Sequence, residues 1–110
     1  CRLPTKRFLA LYGGGMGARG KNFYNDHIKR LGFEEAAVKI QDLYLGGRKG
    51  AAIGAVPDEL VDKVALVGSK ERVRDRLGAW RDAAIKRHVG TMVVPASDRE
   101  TLRFLAEELL

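Results

Sequence analysis

Cysteine is almost absent from this 110-residue chain. Cys1 stands alone, so no internal disulfide and no cysteine-based metal cluster can form. Long apolar runs are missing as well. No stretch approaches the roughly 18 residues of a membrane span, and no basic start leads into an apolar run with a small-residue cleavage site. These absences argue against a membrane partner and fit a reducing, cytoplasmic location. Histidine is limited to His27 and His88. Neither H-x-x-x-H nor Cys/His spacing occurs, so no metal site is expected. An initiator methionine is lacking too, with Cys1 in its place. The expectation is a piece of a longer polypeptide or a processed product, one domain at most.

Acid is scarce in one region only. Residues 1–32 hold Asp26 alone against Arg2, Lys6, Arg7, Arg19, Lys21, Lys29 and Arg30. Residues 33–110 balance thirteen basic against thirteen acidic side chains, so the whole net charge of +6 lies in the first third. A local excess of this kind suits an anionic partner, and it equally suits a solvated basic helix face.

The pattern is mostly helical. Residues 4–12 suit a helix with Pro4 at its first position, stopped by Gly13, Gly14 and Gly15. Residues 21–31 place Phe23, His27, Ile28 and Leu31 on one face, with Gly32 as the terminating glycine. His27 on that face reads as a packed side chain. Residues 33–45 carry the stripe Ala36, Ala37, Ile40, Leu43, Tyr44 and close at Gly46 and Gly47. A short helix at 50–55 and another at 58–66 follow. Ser69 is a good N-cap for a long helix over 70–89, where Val73, Leu77, Trp80 and Ala84 form one buried stripe. His88 near its end suits the helix dipole. Ser97 and Glu100 form a capping box for the last helix.

Strands are the other shortage. Thr91 to Val94 is short, apolar and rich in β-branched residues, which predicts one buried strand near 90–94. Residues 64–68 are either a second strand or the end of the preceding helix. A lone buried strand cannot satisfy its own backbone groups. The chain is therefore expected to be the end of an α/β domain, with a helical region over 1–68 and a helix–strand–helix over 69–110.

Glycines crowd one place, the loop over 13–20. They allow close backbone approach to a ligand, and Arg19 and Lys21 add donors for phosphate or carboxylate. The spacing is neither a P-loop, since Asn22 follows Lys21, nor a dinucleotide fingerprint. The loop reads as an anion cradle or as a turn between two helices. No nucleophile, base and orienting group can be assembled, so the catalytic residues are unknown. Tyr12, Tyr24 and Tyr44 read as core edges.

Three longer segments carry a resemblance. L-A-L-Y-G-G-G-M-G-A-R-G-K-N-F-Y from Leu9 to Tyr24, I-Q-D-L-Y-L-G-G-R-K from Ile40 to Lys49, and V-P-D-E-L-V-D-K-V-A-L-V-G-S-K-E-R-V-R-D-R-L from Val56 to Leu77 look like the C-terminal region of luciferase-like oxidoreductases. The subgroup it resembles uses the deazaflavin coenzyme F420, with FMN as the alternative. The resemblance implies the C-terminal part of a (β/α)8 TIM barrel about three times this length. It implies hydride transfer to, or oxygenation of, a small organic substrate, and a fragment inactive by itself. Its partners would be that substrate, the upstream part of the same barrel and further copies of the protein. Gly14, Gly15, Gly17, Arg19 and Lys21 are the candidate cofactor-binding residues. The competing reading is a small basic helical module that binds nucleic acid or another polyanion, against which no recognition-helix or aromatic–basic pattern appears.

Overall fold

A computed structural model describes residues 1–95 and 98–110. The chain divides into two compact units, Cys1–Val67 and Gly68–Leu110.

In the first unit, α1 (Leu3–Ala10) does not stop at the glycines. It runs on into a π-helical turn over Leu11–Gly15. Glycine lacks the Cβ that would crowd this wider turn, so the run that was expected to break the helix carries it one turn further. Then come α2 (Phe23–Arg30), α3 (Glu34–Leu45), α4 (Lys49–Gly54) and α5 (Asp58–Val64). The core is Ala10, Ile28, Ala37, Ile40, Ala52, Val56, Leu60 and Val61. The helix α3 is its centre and packs against the π turn, α2 and α4. Small side chains at Ala10, Ala37 and Ala52 let these short helices approach closely. At the rim, α1 and α5 are joined by Lys6 Nζ to Asp58 at 2.6 Å and Arg2 to Asp62 at 3.2 Å.

The ends of α2 and α3 share one device. The Phe33 N–H donates to the Ile28 carbonyl and the Gly32 N–H to Lys29, with Gly32 at φ +97°. The Arg48 N–H donates to Leu43 and the Gly47 N–H to Tyr44, with Gly47 at φ +79°. Both are Schellman closures with glycine in the left-handed position. The face expected of α2 is rotated: Asn25 and Ile28 are buried, while Phe23 and His27 are exposed.

In the second unit, α6 (Lys70–Ile85) is capped by Ser69, whose hydroxyl accepts from the Arg72 N–H. It ends four residues before the expected limit. The His88 N–H donates to Ala83 and the Arg87 N–H to Ala84, with Arg87 at φ +59°. This is the same closure without a glycine, which no sequence rule flagged. The expected stripe is partly wrong: Leu77 is buried, but Trp80 is 41% exposed and Ala84 is exposed. The helix α7 (Arg99–Leu109) is capped by Asp98, which accepts from the Thr101 N–H at 2.7 Å. The capping role expected of Ser97 lies outside the described residues.

The strand expected near 90–94 does not form, and no strand occurs among the described residues. Thr91 to Val94 has no neighbouring strand to take up its backbone donors and acceptors, so β-branching alone does not make it one. Residues 65–68 are likewise irregular rather than a strand. Among the described residues no helix is long and apolar enough to cross a membrane.

Candidate functional site

The glycine turn is packed against side chains of α2 and α3, Ile28 and Tyr44. Gly13 and Gly14 are buried. A Cβ at Gly14 would lie 2.6 Å from the Tyr44 Cβ, and one at Gly13 would lie 2.7 Å from the Ile28 Cδ1. At Gly14 the Tyr44 Cβ and the Ile40 carbonyl require glycine, whereas at Gly13 the neighbour is the far end of the Ile28 side chain, which can give way. Gly15 runs along the Tyr44 ring and is exposed. Gly17 lies against the chain's own return: a Cβ there would sit 2.5 Å from the Lys21 carbonyl oxygen.

Two buried asparagines hold this turn from outside. Asn22 and Asn25 are 1% and 2% exposed. Asn22 Nδ2 donates to the Tyr12 carbonyl at 3.0 Å and the Gly13 carbonyl at 3.2 Å. Its Oδ1 accepts from the Asn25 N–H at 3.0 Å, which makes Asn22 the N-cap of α2. Asn25 Nδ2 donates to the Gly13 and Ala37 carbonyls, each at 2.8 Å. The outer surface of the turn is aromatic. Phe8, Tyr12, Tyr24 and Phe23 form a row with ring centroids 4.2, 4.7 and 5.6 Å apart.

The candidate residues thus separate into two groups. Gly14 is a packing residue, whereas Gly15, Arg19 and Lys21 are exposed and Gly17 is half-buried. Arg19 Nε donates to Asp42 Oδ1 at 2.9 Å, and this exposed ion pair ties the loop to α3. Lys21 makes no ion pair among the described residues, and its N–H donates to the Ala18 carbonyl at 2.9 Å. Gln41, 5% exposed, lies on α3 between Ile40, whose carbonyl faces Gly14, and Asp42. Its Nε2 has no hydrogen-bond partner among the described residues, a costly state for a buried donor. No group of three or more His, Cys, Asp or Glu among the described residues is placed to hold a metal.

The sequence does not single out Asn25, Gln41 or Asp42, and it marks Asn22 as the residue that spoils a P-loop. One signal was available: two asparagines at i and i+3 directly after a glycine run exceed what a single helix cap needs. Asp42 and Gln41 gave none, since their link to the loop exists only once α3 is folded beneath it.

The profile of the luciferase-like monooxygenases matches residues 5–87, which takes in the glycine turn, both asparagines and the first unit's core. The chain belongs to the luciferase-like monooxygenase family. Among curated relatives it is 41% identical, over 101 residues, to a protein of Mycobacterium tuberculosis provisionally named a coenzyme F420-dependent oxidoreductase. That match covers 92% of this chain and 28% of the relative, so the chain spans under a third of that relative's length. No solved structure matches the chain.

Proposed function

We propose that this chain is the C-terminal part of a luciferase-like oxidoreductase that uses coenzyme F420 to transfer hydride to, or oxygenate, a small organic substrate. The observation that carries the reading is the family match over 5–87 together with a relative named for F420. FMN is the alternative cofactor. The proposal includes a (β/α)8 barrel completed by the rest of the polypeptide, and the helical character of this part fits it, since barrel helices lie outside the strands. The proposal extends to a cytoplasmic enzyme that assembles with further copies of itself.

The residues present fit the anionic end of such a cofactor. Lys21 brings a charge, the Arg19 fork keeps its terminal nitrogens while Asp42 engages Nε, and Gly15 and Gly17 bring backbone close to the surface. Gln41 adds a buried amide that lacks a partner. When bound, the deazaflavin would supply the hydride chemistry. This chain's part would be to hold the phosphate or carboxylate end through Arg19 and Lys21 and to keep the turn rigid beneath it through Gly14.

The test uses the full-length protein. Mass and absorbance spectra of the purified enzyme should show a bound deazaflavin, and Arg19→Ala or Lys21→Ala should weaken its binding by roughly 1–3 kcal/mol, the scale of hydrogen bonds to charged groups. The loss should shrink as salt rises, because exposed charges are screened. Unchanged binding in both variants at low salt removes the loop from the site. The +6 charge of residues 1–32 favours a second reading, a polyanion-binding module. Salt-dependent binding of a nucleic acid by the full-length protein would support it.

A further inference from the structure

We propose that Asn22 and Asn25 are positioning residues that set the ligand-facing shape of the glycine turn. The inference rests on the reading that residues 15–21 hold the anionic end of a cofactor. Glycines at 13 and 14 have no side chains with which to fix their own backbone, and the space beside them is taken by Ile28 and Tyr44. The π turn therefore needs an outside clamp on its carbonyls. Three hydrogen bonds supply it, Asn22 to Tyr12 and Gly13 and Asn25 to Gly13, and a fourth, Asn25 to Ala37, anchors the clamp on α3, all at 2.8 to 3.2 Å. The Gly13 carbonyl is the shared point, held by both amides at once.

Asn25 uses its amide group to tie the π turn to α3, and Asn22 ties it to the start of α2. Everything that follows Gly14, including Arg19 and Lys21, leaves from this clamped point. Both asparagines are buried, so neither touches the ligand itself. An aspartate could not substitute, because a carboxylate has no donor to offer a carbonyl.

Serine at position 22 separates the two duties of that residue. It keeps an oxygen for the Asn25 N–H and loses both donations to the turn. In the full-length enzyme, titrations of F420 and of FMN followed by fluorescence would compare Asn22→Ser, Asn25→Ser, Lys21→Ala and Arg19→Ala with the parent. The expected result for each asparagine variant is cofactor binding weakened about tenfold or more, by analogy with the outer-shell groups that orient metal ligands. The salt dependence of binding should stay as steep as in the parent, because no charge is lost, whereas Lys21→Ala should flatten it. If Asn22→Ser and Asn25→Ser bind both cofactors like the parent while Lys21→Ala binds weakly, the loop is a site and the positioning role is overturned. If Lys21→Ala and Arg19→Ala also bind like the parent, the reading of the loop fails and the proposal goes with it. If neither asparagine variant folds, their role is structural and the proposal is likewise overturned.

Discussion

A glycine and an arginine show how single residues set local stability here. Gly14 is enclosed by α3, and a methyl group added there meets the Tyr44 Cβ at 2.6 Å and the Ile40 carbonyl at 3.2 Å. Neither neighbour is the free end of a flexible chain. Gly14→Ala should therefore destabilise the fold by about 1–3 kcal/mol, the usual cost of overpacking, as a lower midpoint in urea denaturation. Arg87 presents the opposite case. It occupies the left-handed position of a helix closure at φ +59°, where Gly32 and Gly47 serve in the other two. An L side chain there is strained by roughly 1–2 kcal/mol. Arg87→Gly should recover about 0.5–1 kcal/mol after the added chain entropy of glycine is counted, read as a higher midpoint in the same experiment. The sequence made Gly32 and Gly47 legible as helix ends because they follow apolar stripes. It hid Arg87, because nothing in an arginine announces a positive φ. The candidate site divides in the same way. The exposed charges at Arg19 and Lys21 could be named from composition alone. The clamp by Asn22 and Asn25 depends on a π turn that no periodicity predicts.

Helices α6 and α7 are linked by long charged side chains. Arg74 Nε meets Glu108 at 2.6 Å and Lys70 Nζ meets Glu100 at 2.5 Å. Arg81 reaches both the Glu108 carboxylate, at 3.1 Å, and its backbone carbonyl. The Arg74 guanidinium also lies 5.7 Å from the centre of the Phe104 ring. Hydrogen bonding from Arg74 first, and then from Arg81, holds the Glu108 carboxyl below the ordinary carboxylate range. Since the folded value is depressed, the stabilisation is complete above the ordinary value and is lost as the pH falls through the folded one. Lys70 is shifted upward by its hydrogen bond to Glu100, so its share persists until strongly alkaline pH. The α7 amides should accordingly lose hydrogen-exchange protection on acidification below the ordinary carboxylate range, earlier than those of α3. Added salt at neutral pH should act in the same direction. Unchanged protection of α7 in acid would show that these pairs are incidental. Most of the helices were readable from 3.6-residue periodicity and capping residues such as Ser69. The strand near 90–94 was misread because β-branching reports a suitable surface and not the presence of a partner.

Burial is divided unequally between the two units, and this shapes the expected behaviour of the whole chain. Cys1–Val67 contains a cluster of eight buried apolar residues spread over α1, α2, α3, α4 and α5 and the segments that join them. In Gly68–Leu110, Leu77 is the one fully buried apolar side chain among the described residues, and α7 buries none. Large apolar side chains are meanwhile exposed in both units, among them Phe8, Phe23, Ile85 and Val93. Opening free energies follow buried apolar contact, and regions without it open locally long before the molecule unfolds. The 110-residue chain should therefore show a graded pattern of exchange. Amides of α2 and α3 should be slowest, because these helices enclose Ile28, Ala37 and Ile40 and are joined through Asn25. Those of α6 should be intermediate and those of α7 fastest. Exposed apolar surface on this scale also drives association, so the sedimentation coefficient should rise with concentration. If a longer polypeptide completes the proposed barrel, the contrast between the units should shrink there, because α6 and α7 would gain apolar neighbours. Hydrogen exchange with mass spectrometry on both forms decides the matter. If residues 70–109 are as protected in the short chain as in the long one, the second unit is already complete without the rest of the barrel, and a barrel-dependent role for it fails.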